Sequence, residues 1–116
     1  MRILMLALTA TMLAGCAGSV MNDARTKTPY KVLTSDKAEK VVAQCVQFGW
    51  QDDAVFGVDA AAYMEPRNSG GTTVYTRSAE SFVDMITDAS GTTLNYYAQK
   101  DDFIAKRRLA ALATCL

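Results

Sequence analysis

Residues 72–98, TTVYTRSAESFVDMITDASGTTLNYYA, decide the fold. Three runs within it, 72–77, 82–87 and 92–98, are rich in the β-branched and aromatic residues that suit a pleated, half-buried surface. Ser78-Ala79-Glu80 and Asp88-Ala89-Ser90-Gly91 join them. Connections this short rule out parallel crossovers, which need a dozen or more residues, so the runs form an antiparallel meander.

Upstream, Phe56, Val58, Ala60, Ala62 and Met64 share one parity against Gly57, Asp59, Ala61, Tyr63 and Glu65. That alternation predicts a half-buried strand over 56–65, although Ala60-Ala61-Ala62 is also compatible with helix. Pro66-Arg67-Asn68-Ser69-Gly70-Gly71 then turns the chain into the next strand. The expected sheet has four strands.

A helix flanks the strands on each side. Thr34-Ser35-Asp36 supplies capping residues, and Ala38, Val41, Val42, Cys45 and Val46 recur at helical spacing. Gly49 is placed to end that helix, with Trp50 as an apolar anchor just beyond. Asp101 or Asp102 caps a last helix in which Ile104, Ala111, Leu112 and Cys115 share one face. Arg108 falls within that apolar arc. Its stem either packs while the head snorkels outward, or it is buried and needs a carboxylate such as Asp59 or Asp84. The expected plan is a two-layer α+β domain over 34–116, with both helices on one side of a four-stranded antiparallel meander.

The first fifteen residues have a different character. Arg2 precedes an apolar run from Ile3 to Ala14, too short to span a bilayer, which takes about 20 residues. The run ends in Leu13-Ala14-Gly15-Cys16, which resembles the lipobox of bacterial lipoprotein signal peptides. The resemblance covers residues 1–16 and implies cleavage after Gly15, diacylglycerol on the Cys16 thiol and an acylated amino terminus such as palmitate supplies. Ala17, rather than Asp, after the lipidated position implies the outer membrane by the enterobacterial sorting pattern, with the domain facing the periplasm. The chain thus divides into a signal peptide, 1–15, a lipidated N-terminus and tether, 16–33, and the domain, 34–116. Residues 17–33 mix small, polar and charged types around Pro29 without a sustained period, and Tyr30 to Leu33 can lie against the domain.

Assigning Cys16 to lipid leaves Cys45 and Cys115, an even pair in an oxidising compartment, as a structural disulfide. A metal or redox site is the weaker alternative, because there is no histidine and no Cys-x-x-Cys. Missing histidine also excludes serine–histidine and cysteine–histidine catalysis. Asp52-Asp53 and Asp101-Asp102 read as loop or capping acids, and Gly70-Gly71 lacks the lysine of a phosphate loop. The chain carries 12 basic and 12 acidic residues, which gives no electrostatic case for nucleic acid. The expectation is therefore a non-catalytic protein without metal, cofactor or small-molecule ligand. It binds the membrane through its lipid and meets an envelope protein, as an accessory of a cell-envelope or secretion assembly. The other reading is an immunity or inhibitor lipoprotein that neutralises a toxin or lytic enzyme. A two-layer domain leaves one sheet face open, and Tyr75, Tyr97, Arg77 and Asn95 mark that face for protein binding, although sheet propensity alone also selects tyrosine there.

Overall fold

The structure, a computed structural model, describes residues 11–116, with side chains from residue 17 onward. Residues 1–10 and the side chains of 11–16 lie outside it, so most of the expected signal peptide and the Cys16 thiol are not among the described residues.

The meander forms as the short links require. Strands β2 (Ala62–Pro66), β3 (Thr72–Thr76), β4 (Ser81–Asp88) and β5 (Gly91–Ala98) pair antiparallel with their sequence neighbours. Gly71 turns β2 into β3 at positive φ, where a Cβ would run into the Met85 carbonyl. A fifth strand, β1 (Lys31–Ser35), adds to the free edge of β5 and gives the order β1-β5-β4-β3-β2. Lys31 to Leu33 fall at the end of the expected tether, and Thr34 and Ser35 among the expected helix caps. The strand expected over 56–65 is shorter, because Asp53–Phe56 form a 3₁₀ turn closed by Gly57 in the left-handed region.

Helices α2 (Glu39–Asp52) and α3 (Phe103–Ala113) pack together on one face, over a core of Val42, Val46, Trp50, Val74, Val83, Met85, Leu94, Tyr96 and Leu112. The Cys45–Cys115 disulfide joins the two, with Cα atoms 5.7 Å apart. Trp50 belongs to α2, which runs through Gly49 instead of stopping there. The inward stripe of α2 is Val42, Ala43, Val46 and Trp50, so Ala38 and Val41 face solvent. No side chain caps α2; Ser35 Oγ instead accepts from the Lys37 amide. Asp102 caps α3 as expected, accepting from Ala105 N at 2.9 Å.

Arg108 is buried beneath α3. Its Nη1 donates to Ser81 Oγ at 3.0 Å and lies 3.6 Å from Glu80, so neither Asp59 nor Asp84 is its partner. Its main chain serves the core as well, since Trp50 Nε1 donates to the Arg108 carbonyl at 2.9 Å.

The opposite face is not bare. Helix α1 (Thr11–Arg25) lies on it, which makes the architecture three-layered, and residues 17–25 are docked helix rather than tether. The fold remains α+β with an antiparallel sheet.

Candidate functional site

Strand register places Phe82, Asp84 and Ile86 of β4 on the α1 face, together with Asn95 and Tyr97 of β5, Thr73 and Tyr75 of β3, and Tyr63 and Glu65 of β2. Pleat alternation forces this, since the opposite parity carries Val74, Val83, Met85, Leu94 and Tyr96 into the α2–α3 core.

α1 meets this face with an apolar stripe and one cation. Ala17, Val20, Met21 and Ala24 contact a cluster of Ala79, Phe82, Tyr97 and Tyr75. Phe82 and Tyr97 stack with ring centroids 4.6 Å apart, and the Arg25 guanidinium sits 5.3 Å from the Phe82 ring centre. Arg25 then forks onto Asp84, with Nε to Oδ2 at 2.7 Å and Nη2 to Oδ1 at 2.8 Å. Nη2 also donates to Thr73 Oγ1 at 3.1 Å, and that hydroxyl donates to Asp84 Oδ1 at 2.7 Å. Arg67 approaches the same oxygen at 3.7 Å from the β2–β3 turn. The Asp84 side chain is only 3% exposed. A buried carboxylate is tolerable when it is paired and its lone pairs are hydrogen-bonded, and here the bidentate fork and the threonine meet that need. The bond to Asp84 raises the Arg25 pKa further above the range in which arginine titrates, fixing its charge.

The four residues expected to mark an open protein-binding face are separated by α1. Tyr97 lies under the helix, 9% exposed, and burial raises its phenol pKa. Tyr75 is half-buried at the helix margin beside Tyr63, with ring centroids 5.3 Å apart, and burial raises its pKa as well. Arg77 sits beyond the end of β3, its Nε donating to Asp59 Oδ2 at 2.8 Å; that bond, before any other cause, holds the Asp59 carboxyl below its ordinary value. Asn95 lies in the part of the face that α1 leaves uncovered, between Val32 and Asp84 in register. Ile86 and Val32 are exposed there, with Thr34 and Thr93 between them. The site is therefore two half-faces, one roofed by α1 and one open.

Arg25, Met21, Thr73 and Arg67 were not singled out from the sequence. A signal was present: Ala17, Val20, Met21 and Ala24 stand at offsets 0, 3, 4 and 7, one helical stripe, with Arg25 beside it. Among the described residues no group of three or more His, Cys, Asp or Glu is placed to hold a metal ion, and no helix is long and apolar enough to cross a membrane. Comparisons of the chain with protein-family models, curated proteins and solved structures find no match.

Proposed function

We propose that the protein is a small lipoprotein of the outer membrane, anchored through Cys16 and facing the periplasm, that acts by binding as a non-catalytic accessory of a cell-envelope or secretion assembly. The observation that carries the binding role is the uncovered half-face, where Val32 of β1 and Ile86 of β4 stand exposed on either side of β5, around Asn95, Thr34 and Thr93. Apolar side chains set among hydrogen-bonding ones on a rigid sheet suit a protein partner. Asp84, opposite Asn95 in register, is already committed to Arg25 and Thr73. The lipid anchor rests on Leu13-Ala14-Gly15-Cys16.

Two measurements test the reading. Palmitate labelling in the native host should mark the wild type, and Cys16→Ser should abolish the label and release the protein from membranes; a label that survives the substitution rejects the anchor. A photo-crosslinker at Ile86 should trap one envelope protein in living cells, whereas the same group at Lys100 should not. Trapping a secreted toxin or lytic enzyme at Ile86 would assign the immunity role instead, and no adduct at Ile86 would reject binding through this half-face.

A further inference from the structure

We propose that the cleft at the N-terminal end of α1, walled by Tyr63, Tyr75 and Arg77, is the surface on which the protein sits against the phospholipid bilayer that holds its own anchor. The proposal rests on the lipid-anchor reading above and adds an orientation to it.

The geometry starts from how firmly α1 is held. Met21 is buried in the Phe82–Tyr97 cluster, and Arg25 is clamped to Asp84. Ala17 is itself half-buried, and α1 packs along the turn Arg77–Ala79. In that turn Ser78 and Ala79 both adopt positive φ, 58° and 51°. Two consecutive non-glycine residues in that region are costly, and here they bring Ala79 fully under α1, inside the cluster with Met21. Residue 17 is thus a fixed point on the domain surface. Cys16 is its covalent neighbour, about 3.8 Å away between Cα atoms, so acyl chains on Cys16 must leave the protein next to Ala17 with no slack.

Ala17 and Gly18 line an open cleft of about 470 Å³ together with Tyr63, Tyr75, Arg77 and Ser78. Tyr63 is 44% exposed and tilts against Tyr75. Tyrosine pairs an apolar ring with a hydroxyl and is enriched at the membrane–water boundary. The Arg77 side chain is 66% exposed; only its Nε is spent, on Asp59, and its Nη groups make no hydrogen bond among the described residues. A guanidinium on a long stem at that height is suited to lipid phosphates. Two carboxylates share the area, Asp59 and Glu65. Asp59 and Arg77 offset each other's charge, and Glu65 lines both this cleft and a second one that it shares with Arg67. Anchor exit, two tyrosines and guanidinium Nη donors that make no hydrogen bond among the described residues therefore coincide on one side of the domain. The β4–β5 hairpin tip at Ala89 lies at the other end of the sheet, about 25 Å along β4 from this side.

The test uses the full acylated protein in vesicles of phosphatidylethanolamine and phosphatidylglycerol, with a single thiol-reactive fluorophore at Tyr63→Cys or Ala89→Cys. The disulfide protects Cys45 and Cys115 from the label. The expected result is that the dye at position 63 is shielded from aqueous iodide at least threefold and quenched by shallow nitroxide lipids, whereas the dye at 89 behaves as in solution. Arg77→Glu should reduce the shielding at 63 on these vesicles. Equal iodide access at 63 and 89, in protein whose mass shows the acyl groups, overturns the orientation and leaves the anchor standing. Protein without acyl groups by mass fails the anchor, and the orientation with it. Should Tyr63→Cys not fold, Ser78→Cys reports on the same wall with the same expected and overturning results.

Discussion

On one side of the sheet, α2 and α3 bury Val42, Val46, Trp50 and Leu112 to essentially zero exposure and are tied by a disulfide. On the other, α1 contributes one buried apolar side chain among the described residues, Met21, and closes its end with an ion pair. The first face is held by apolar area and a covalent link, which ask little of direction. The second depends on a bidentate fork that works only in one orientation. The contrast predicts two levels of stability: a global unit comprising the sheet with α2 and α3, and an α1 layer able to open by itself.

The largest expected effect is on the first face. Closing a loop between residues 70 apart stabilises by about 4 kcal/mol in the chain-entropy model. Cys45→Ser with Cys115→Ser should therefore lower the urea-unfolding free energy by about that amount in a single cooperative transition. A loss below about 1 kcal/mol would show that helix packing alone closes this face.

Arg25→Ala comes next. Removing one partner of a buried pair strands the other, at about 3 kcal/mol. Here the cost is capped, because α1 can lift and let water reach Asp84. Amide exchange of α1 should then accelerate far more than that of α3. Arg25→Met with Asp84→Leu should recover most of the loss, since a packed apolar pair replaces two desolvated charges. Equal acceleration of exchange in α1 and α3 would dissolve the two-level picture.

The same asymmetry governs what could be read in the sequence. The meander was legible because short links and β-branched runs are local signals; α3 and its Asp102 cap were legible for the same reason. The disulfide followed from cysteine parity and helical phase. α2 was rotated by one residue, because Val41, Val42 and Ala43 are adjacent apolar positions and helical period alone does not choose between flanking stripes. α1 was missed because only two turns of pattern, Ala17 to Ala24, are set among polar residues. Its docking is decided by Asp84, 59 positions away from Arg25. Arg108 shows the same limit: its place in the apolar arc of α3 was evident, but Ser81 and Glu80 become its partners only once β4 is laid beneath the helix.

A third prediction separates the layers by alkaline titration. Tyr96, in the α2–α3 core, donates to the Ala105 carbonyl at 2.8 Å, and burial pushes its pKa up to about 12. Its folded value exceeds the unfolded one of about 10, so its contribution is intact below pH 10 and is lost as pH rises toward 12. Between pH 9 and 11 that amounts to roughly 1.4 kcal/mol, which Tyr96→Phe should remove from the pH slope of unfolding. Tyr97 is also raised by burial but lies under α1. It should ionise through lifting of the helix, at lower pH than Tyr96 in an ultraviolet titration followed by single tyrosine substitutions. The reverse order would mean that α1 is the more firmly held layer.

The smallest effect belongs to the margin of the roofed half-face. Arg77 and Asp59 form an exposed pair, and such pairs add little to stability because water screens them and both side chains lose freedom. Asp59 is nevertheless held below its ordinary pKa, first by the Arg77 bond and then by the Ala61 amide. Because its folded value is the lower one, whatever stability it contributes is present above the unfolded pKa of about 4 and is lost as pH falls through the folded value. In a chain of residues 16–116 carrying Cys16→Ser, Arg77→Gln should leave the thermal midpoint unchanged while the Asp59 carboxyl, followed by NMR, titrates closer to its ordinary value. Only part of the shift should disappear, since Asp59 Oδ1 still accepts from Ala61 N at 2.9 Å. A fall in the midpoint comparable with that of Arg25→Ala would instead make the Arg77–Ala79 turn a support of α1. The roofed half-face would then be braced at both ends of the helix rather than clamped at Arg25 alone.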